Sequence, residues 1–284
     1  MLSRLRSPSS VPRAEATASQ PSQKLVTPLS TLRRPRYLLP IALASGAVVR
    51  MAAFWRGIAK ARALAAAGQR FERRQFSPGY SMLVLGDSTG VGVGACRPEE
   101  STAGRLGAEF PDADIVNVSR SGARVCDTLT QASQWVGMER RFDLAVLHVG
   151  ANDIVRATSR EKLASDCDAL LAQLKQVANR VIWLGPANVG LAPLFPLPYS
   201  WLLSARSRKA ATIFADSAAK HCVAFVDFCG SEDGQHLRRG GRQHFAVDGF
   251  HPSSSTYGHG YSAIRAAILL SGVVLTQMPG SGAA

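Results

Sequence analysis

The chain has 284 residues, of which 46% are hydrophobic, so it is long enough for one or two domains with a buried core. Its formal net charge of +13 would suit a nucleic-acid-binding protein, but the charge is unevenly distributed. Residues 1–78 hold 14 of the 33 Lys and Arg residues and only two of the 20 Asp and Glu residues. The remainder is nearly neutral, so we expect no nucleic-acid partner.

The first 78 residues form two segments of different composition. Residues 1–36 are rich in Ser, Pro, Thr and Arg and lack apolar periodicity, which predicts a disordered basic tail. Residues 37–78 combine apolar and basic residues in a helical pattern. Their longest charge-free run, residues 37–49, is 13 residues long, which is too short to span a bilayer.

Several interpretations of residues 37–78 stay open. The segment could be the apolar core of a cleaved export signal, an amphipathic helix on an anionic membrane surface, or a helix packed on the following domain. Met51 could also be the true start of the chain. Helical character continues beyond Arg50, which favours a retained helix and therefore a cytoplasmic or membrane-associated location over export.

From residue 79 onwards, short apolar runs alternate with longer helical patterns. The apolar runs predict strands at residues 82–86, 115–119, 143–149, 181–185 and 223–228. The helical patterns lie at residues 101–110, 124–138, 160–179, 199–221 and about 254–271. This alternation predicts a five-stranded parallel sheet with helices on both faces. We expect this α/β domain to span residues 79–276, followed by a flexible terminus over residues 277–284.

Four short blocks carry residues suited to acyl transfer. A Gly-Asp-Ser block after the first strand offers Ser88 as a nucleophile, and His251 near the C-terminus has Asp248 three residues before it. The carboxylate can accept the imidazole Nδ1–H, which leaves Nε2 free to take the serine proton. Gly122 and Asn152 each follow an apolar run, where an N–H donor can point at a developing oxyanion.

The ordered blocks Gly-Asp-Ser, Gly, Gly-x-Asn-Asp and Asp-x-x-His resemble the SGNH hydrolases, also called GDSL esterases and lipases, over roughly the last two-thirds of the chain. The resemblance implies a flavodoxin-like three-layer α/β/α sandwich without a cofactor or metal. It implies that Ser88 is the nucleophile, that His251 is the general base and that Asp248 orients it. The oxyanion donors would be the backbone N–H groups of Ser88 and Gly122 and the side-chain amide of Asn152.

Two features depart from the simplest match to this family. Thr89 stands where the family's short name has leucine, which bears on the substrate more than on the mechanism. Residues 90–95 read Gly-Val-Gly-Val-Gly-Ala, which matches a dinucleotide-binding fingerprint. That fingerprint places its glycines directly at the strand end, whereas residues 87–89 intervene here. We therefore expect the glycines to allow a tight turn after the nucleophile.

Individual site residues also have simpler interpretations. Gly122 could be only a turn glycine, and Asn152 could cap the helix that follows it, a role that Asp153 could fill equally well. Asp233 and His236 form a second Asp-x-x-His pair, but it lies in a polar stretch that predicts a solvated loop. We expect His148 to be a core residue, and Asp87 and Asp153 to organise their loops by accepting backbone hydrogen bonds.

The sequence therefore predicts a serine hydrolase that cleaves short-chain or lipid carboxylic esters through an acyl-enzyme intermediate. A carbohydrate O-deacetylase or a thioesterase on the same scaffold is the alternative. A membrane- or nucleic-acid-binding protein with a degenerate hydrolase domain is favoured only by the basic tail. The five cysteines include no Cys-x-x-Cys pair, which argues against a disulfide framework or a metal site. The expected partners are a small-molecule or lipid ester and, through residues 37–78, an anionic membrane surface.

Overall fold

The computed structural model describes residues 38–139, 141–230 and 241–270. The chain divides into two units, Met1–Ser45 and Gly46–Ala284, and the described part of the first is the helical segment 38–45. The predicted tail over residues 1–36 and the predicted flexible terminus over residues 277–284 lie outside the described residues. Both therefore stay predictions.

A five-stranded parallel sheet forms the centre of the second unit. Its strands are β1 (Tyr80–Gly86), β2 (Ala113–Asn117), β3 (Phe142–His148), β4 (Ala178–Leu184) and β5 (Ala224–Val226). They lie side by side in the order β2-β1-β3-β4-β5, and every neighbouring pair is parallel. This is the flavodoxin-like order, so the predicted fold class is confirmed.

The helices follow the strands in the alternation that the sequence predicts. They are α1 (Leu38–Ala67), α2 (Ser88–Val91), α3 (Thr102–Glu109), α4 (Val125–Ser133), α5 (Ala151–Arg156), α6 (Arg160–Val177), α7 (Tyr199–Lys220) and α8 (Ser254–Leu270). Helix α4 ends earlier than predicted, because residues 134–137 form turns and Gly137 adopts a φ of +80°. The sequence did not predict α2 and α5, the two short helices that follow β1 and β3.

The sheet is covered on both faces, which explains why its strands read as continuous apolar runs. Alternate residues of the strands point to opposite faces and form two separate cores. On one face, Leu85, Leu147 and Trp183 pack with residues of α4, α6 and α7. On the other, Val84 and Val146 pack with residues of α3 and α8.

Helix α1 packs on the domain through one side of its second half. Phe54 and Ile58 contact the core. A Cβ atom at Gly57 would lie 2.3 Å from Leu194 Cδ1, so the helix closely approaches the loop between β4 and α7 that contains Leu194. Within the described residues, no helix is both long enough and apolar enough to cross a bilayer. The helix covers residues 38–67 of the predicted helical segment 37–78, whereas residues 68–78 are not helical, and the segment's roles as an anchor or signal stay predictions.

Candidate active site

The end of β1 fixes the position of Ser88. Asp87 caps the N-terminus of α2, where its carboxylate accepts the N–H of Thr89 at 2.8 Å, and Ser88 is the first residue of that helix. The buried side-chain amide of Gln131 contacts Gly86 twice, accepting its N–H at 2.8 Å and donating to its carbonyl at 2.9 Å. The two residues that precede Ser88 are therefore both fixed by hydrogen bonds, Gly86 by Gln131 and Asp87 by the N–H of Thr89.

Ser88, His251 and Asp248 form a continuous hydrogen-bonded chain. His251 Nε2 lies 3.0 Å from Ser88 Oγ, and His251 Nδ1 lies 2.6 Å from Asp248 Oδ2. The other carboxylate oxygen of Asp248 accepts the backbone N–H groups of Phe250 at 2.9 Å and His251 at 3.1 Å. Burial raises the pKa of Asp248, but the hydrogen bonds from the His251 ring and the backbone outweigh it and hold that pKa below its usual range. The lowered pKa favours the ionised carboxylate beside the His251 ring.

The loop that carries Asp248 and His251 is closed by its own backbone and tied to its surroundings. The N–H of Ala246 donates to the carbonyl of His251 at 2.8 Å, and the N–H of Leu194 donates to the carbonyl of Gly249 at 3.1 Å. The next helix, α8, is tied to the turn after the nucleophile, because the buried Tyr257 hydroxyl donates to the carbonyl of Val93 at 2.8 Å. These contacts hold the loop of His251 in place beside Ser88.

Asn152 lies beside Ser88 at the start of α5. The N-cap of α5 is Gly150, so the interpretation of Asn152 as the helix cap is wrong. Its Nδ2 instead donates to the carbonyl of Ala123 at 3.0 Å, and Asn152 lines the same cavity as Ser88. An amide nitrogen carries two hydrogens, so one stays available for a ligand.

Gly122 lies in the loop after β2. Its φ of +83° favours glycine at this position, and the nearest atom to an added Cβ, Arg156 Nη2, would be 3.6 Å away. Backbone conformation, and not lack of space, therefore requires glycine here. Among the described residues that line the cavity beside Ser88, Gly122 does not occur. Its role as an oxyanion donor stays a prediction.

Asp87 and Asp153 organise loops around the site, as predicted. Asp153 accepts the N–H of Val125 at 3.0 Å and the hydroxyl of Thr158 at 2.9 Å, which ties α5 to the start of α4. Burial raises the pKa of Asp153 as well as that of Asp87, which reaches about 6. Asp87 therefore titrates in the mildly acidic range.

The glycines of residues 90–95 allow the turn after Ser88 to pack closely against the loop that carries His251. Gly94 has a φ of +96°, and an added Cβ would lie 2.3 Å from the carbonyl oxygen of Pro252. The position after β1 is occupied by Asp87 and the helix that begins at Ser88. The prediction of a tight turn is confirmed for this stretch.

Two other histidines, His148 and His236, were also interpreted from the sequence. His148 is a buried residue at the end of β3, as predicted, and burial lowers its pKa to about 4, so its imidazole is neutral at pH 7. Asp233 and His236, the competing pair, lie outside the described residues.

A cavity of about 130 Å³ opens beside Ser88, His251 and Asn152. Its walls are largely apolar and come from several separate segments, with contributions from Val149, Leu184, Val189, Phe228, Phe245 and Phe250. The sequence analysis missed these residues, since apolar side chains in scattered loops carry no recognisable signal. It also missed Gln131 and Tyr257, whose buried polar contacts depend on the tertiary fold.

A sequence profile of the GDSL-like lipase/acylhydrolase family matches residues 84–259. The match covers more than half of the chain and includes all five predicted site residues. The chain belongs to this family. It is thus a hydrolase of the SGNH type, and the recognition made from the four sequence blocks is confirmed.

Several solved structures share this fold and align with about two-thirds of the chain. LAE5, an alpha/beta hydrolase enzyme from the metagenome of Lake Arreo, Spain, is 21% identical with a TM-score of 0.53, covering 68% of this chain and 96% of its own. TesA is 20% identical with a TM-score of 0.53, covering 66% and 97% respectively. A catalytic mutant of Axe2, an acetylxylan esterase from Geobacillus stearothermophilus, is 18% identical with a TM-score of 0.52, covering 68% and 96%. A search of curated protein sequences finds no match.

Proposed function

We propose that the protein hydrolyses carboxylic esters through a Ser88–His251–Asp248 triad. The observation that carries this proposal is the hydrogen-bonded chain from Ser88 Oγ to His251 Nε2 at 3.0 Å and from His251 Nδ1 to Asp248 Oδ2 at 2.6 Å. In acylation, Ser88 Oγ attacks the ester carbonyl while His251 takes its proton and Asp248 stabilises the imidazolium. His251 then returns the proton to the leaving alcohol.

In deacylation, the same residues act on water. His251 takes a proton from a water molecule, the resulting hydroxide attacks the acyl-enzyme carbonyl, and the carbon–oxygen bond to Ser88 breaks with return of the proton to Oγ. In both steps a negative charge develops on the former carbonyl oxygen. The Asn152 amide and the backbone N–H groups of Ser88 and Gly122 are the donors that we assign to it.

The walls of the cavity support an ester with an apolar acyl or alcohol part. Phe228, Phe250 and Leu184 offer apolar surface beside the nucleophile, and burial of each additional methylene group stabilises a bound substrate by about 0.8 kcal/mol. This favours short-chain or lipid esters as substrates. A structural neighbour acts as an acetylxylan esterase, so acetylated carbohydrate is the comparison substrate that a test must include.

A panel of 4-nitrophenyl esters from acetate to laurate tests this proposal, with acetylated xylose and a palmitoyl thioester alongside. We expect nitrophenyl ester hydrolysis, with kcat/KM rising over the first added methylene groups as the apolar walls are filled. Turnover restricted to acetylated xylose would instead identify an O-deacetylase, and turnover of the thioester alone a thioesterase. No turnover of any ester would contradict the proposal.

We also infer that the exposed side of α1 contacts an anionic membrane surface. Val48, Met51 and Trp55 are 68%, 54% and 59% exposed and follow one another at helical spacing. Arg50 and Arg62 lie on the same helix, and within the described part of the chain neither forms an ion pair. Tryptophan and basic residues together suit the interface of an anionic bilayer.

A further inference from the structure

A second groove, of about 550 Å³, lies between α1 and the loop that carries the catalytic carboxylate. One wall is a stripe of α1 that includes Arg50, Phe54 and Gly57, spaced by four and three residues. The opposite wall consists of residues 193–197 and 247–249. This groove is separate from the cavity beside Ser88, because the two share no lining residue.

The groove is strongly cationic. Arg50, Arg56 and Lys60 of α1 and Arg242 line it, and all four are exposed. Within residues 38–139, 141–230 and 241–270, none of these four side chains forms an ion pair. The carboxylate that shares the lining, Asp248, is buried and already paired with His251 at 2.6 Å, so it does little to offset the positive charge. An anion is the ligand that this arrangement attracts.

The remaining surface of the groove is apolar. Phe54, Leu194 and Phe195 provide apolar surface, and Leu197 and Val247 also line the groove while remaining 52% and 74% exposed to solvent. Apolar side chains beside a basic cluster suit a ligand that carries an apolar chain as well as a negative charge. Guanidinium groups match phosphate oxygens in geometry and bind them through two hydrogen bonds, which favours phosphate as the anion.

We propose that this groove binds one anionic phospholipid, with its phosphate at the basic side chains and an acyl chain along Phe54 and Leu194. The proposal rests on the proposed action on lipid esters, and its site is separate from the exposed residues Val48, Met51 and Trp55, none of which lines the groove. Asp248 and Gly249 line the groove, so a bound lipid would lie next to the loop that carries Asp248 and His251.

The test is calorimetric titration of the full chain carrying Ser88→Ala, which keeps the probe from being hydrolysed. The probe is monomeric dihexanoyl phosphatidylglycerol, compared with dihexanoyl phosphatidylcholine and with inorganic phosphate. We expect one phosphatidylglycerol to bind per chain, and both comparison ligands to bind at least tenfold more weakly. Arg50→Glu combined with Arg242→Glu should weaken phosphatidylglycerol binding at least tenfold. The exposed Arg160→Glu, on α6 outside the groove, is the matched control and should leave binding unchanged.

Three outcomes would overturn the lipid site. Equal binding of inorganic phosphate would indicate a simple anion site, and equal binding of phosphatidylcholine would indicate an uncharged apolar site. Phosphatidylglycerol binding that survives both charge reversals would place the ligand elsewhere. If thermal unfolding shows that the double reversal is unfolded, Arg50→Gln with Lys60→Gln takes its place and should also weaken binding. Hydrolysis of 4-nitrophenyl butyrate by the wild-type chain, measured in parallel, reports separately on the proposed esterase activity.

Discussion

At the scale of single residues, Asn152 separates transition-state stabilisation from substrate binding. Its Nδ2 donates one hydrogen to the carbonyl of Ala123 at 3.0 Å, which orients the amide and leaves the second hydrogen for the substrate oxygen. Asn152→Ala should lower kcat by about two to three decades with little change in KM, since the donor matters most once the oxygen is charged. Steady-state kinetics on a 4-nitrophenyl ester measure both constants. A raised KM with an unchanged kcat would make Asn152 a substrate-binding residue instead.

Asp87 gives a second residue-scale prediction, which concerns stability and pH. Burial raises its pKa to about 6 in the folded protein, above the ordinary 3.8, so the folded state holds this proton more tightly than the unfolded chain. Stability from this group is present at low pH and is lost as pH rises through about 4 to 6. At pH 8 the buried charge costs about 3 kcal/mol, on the basis of 1.36 kcal/mol per pKa unit.

Asp87→Asn keeps an oxygen that can accept the Thr89 N–H and removes the buried charge. We therefore expect the variant to have a higher free energy of unfolding than the wild type at pH 8, with the gain shrinking towards pH 4. Urea unfolding at the two pH values measures it, and Asp216→Asn, which removes an exposed carboxylate of α7, is the control. A difference that does not change with pH would show that Asp87 is not ionised at a cost in the folded protein.

At the scale of elements, α1 has two sides with different expected contributions to stability. Phe54 packs against the core, whereas Trp55, the next residue, is 59% exposed. Phe54→Ala should lower the free energy of unfolding by about 1–3 kcal/mol, below the 3–5 kcal/mol of a fully buried phenylalanine. Trp55→Ala on the same helix should change it by less than about 0.5 kcal/mol. Chemical denaturation of the two variants checks this, and equal effects would contradict the packing of α1.

The sequence predicted the strands and long helices well, because their signals are local. Both faces of the sheet are buried, so each strand reads as an apolar run, and helices such as α6 keep their apolar residues at helical spacing. The predicted site residues Ser88, Asn152, Asp248 and His251 could be proposed from the sequence because they stand in short blocks, after a strand for the first two and before the last helix for the other two. The order of the strands had no such local signal, since five similar apolar runs can be arranged in several ways.

The supporting contacts of the site were invisible in the sequence for the same reason. Gln131 lies 45 positions from Gly86, which it holds, and Tyr257 lies 164 positions from Val93. Both residues lie in helices, and only the tertiary fold brings them next to the segment around Ser88. The short helices α2 and α5 were also missed, because four and six residues carry too little periodicity to be recognised.

At the scale of the whole molecule, the uneven charge distribution predicts where a membrane would be contacted. Phosphatidylglycerol vesicles should sediment the wild-type chain, and added salt should weaken this because it screens the Lys and Arg residues concentrated before residue 79. Met51→Glu with Trp55→Glu should reduce co-sedimentation several-fold. Phe76→Glu, which changes an exposed apolar residue outside α1, is the control and should have little effect. Equal sedimentation of all three chains would rule out contact through this helix.

The central claim is that Ser88 is the nucleophile of a hydrolytic triad, and covalent labelling tests it most directly. A fluorophosphonate reacts with a serine only when a neighbouring base activates it, and the only activated serine we propose is the one 3.0 Å from His251 Nε2. Mass spectrometry of the treated protein should find one phosphonyl group per chain on the peptide that contains Ser88. Ser88→Ala should lose both the label and ester hydrolysis, with kcat falling by about three to six decades. Labelling of another serine, or undiminished turnover by Ser88→Ala, would contradict the account.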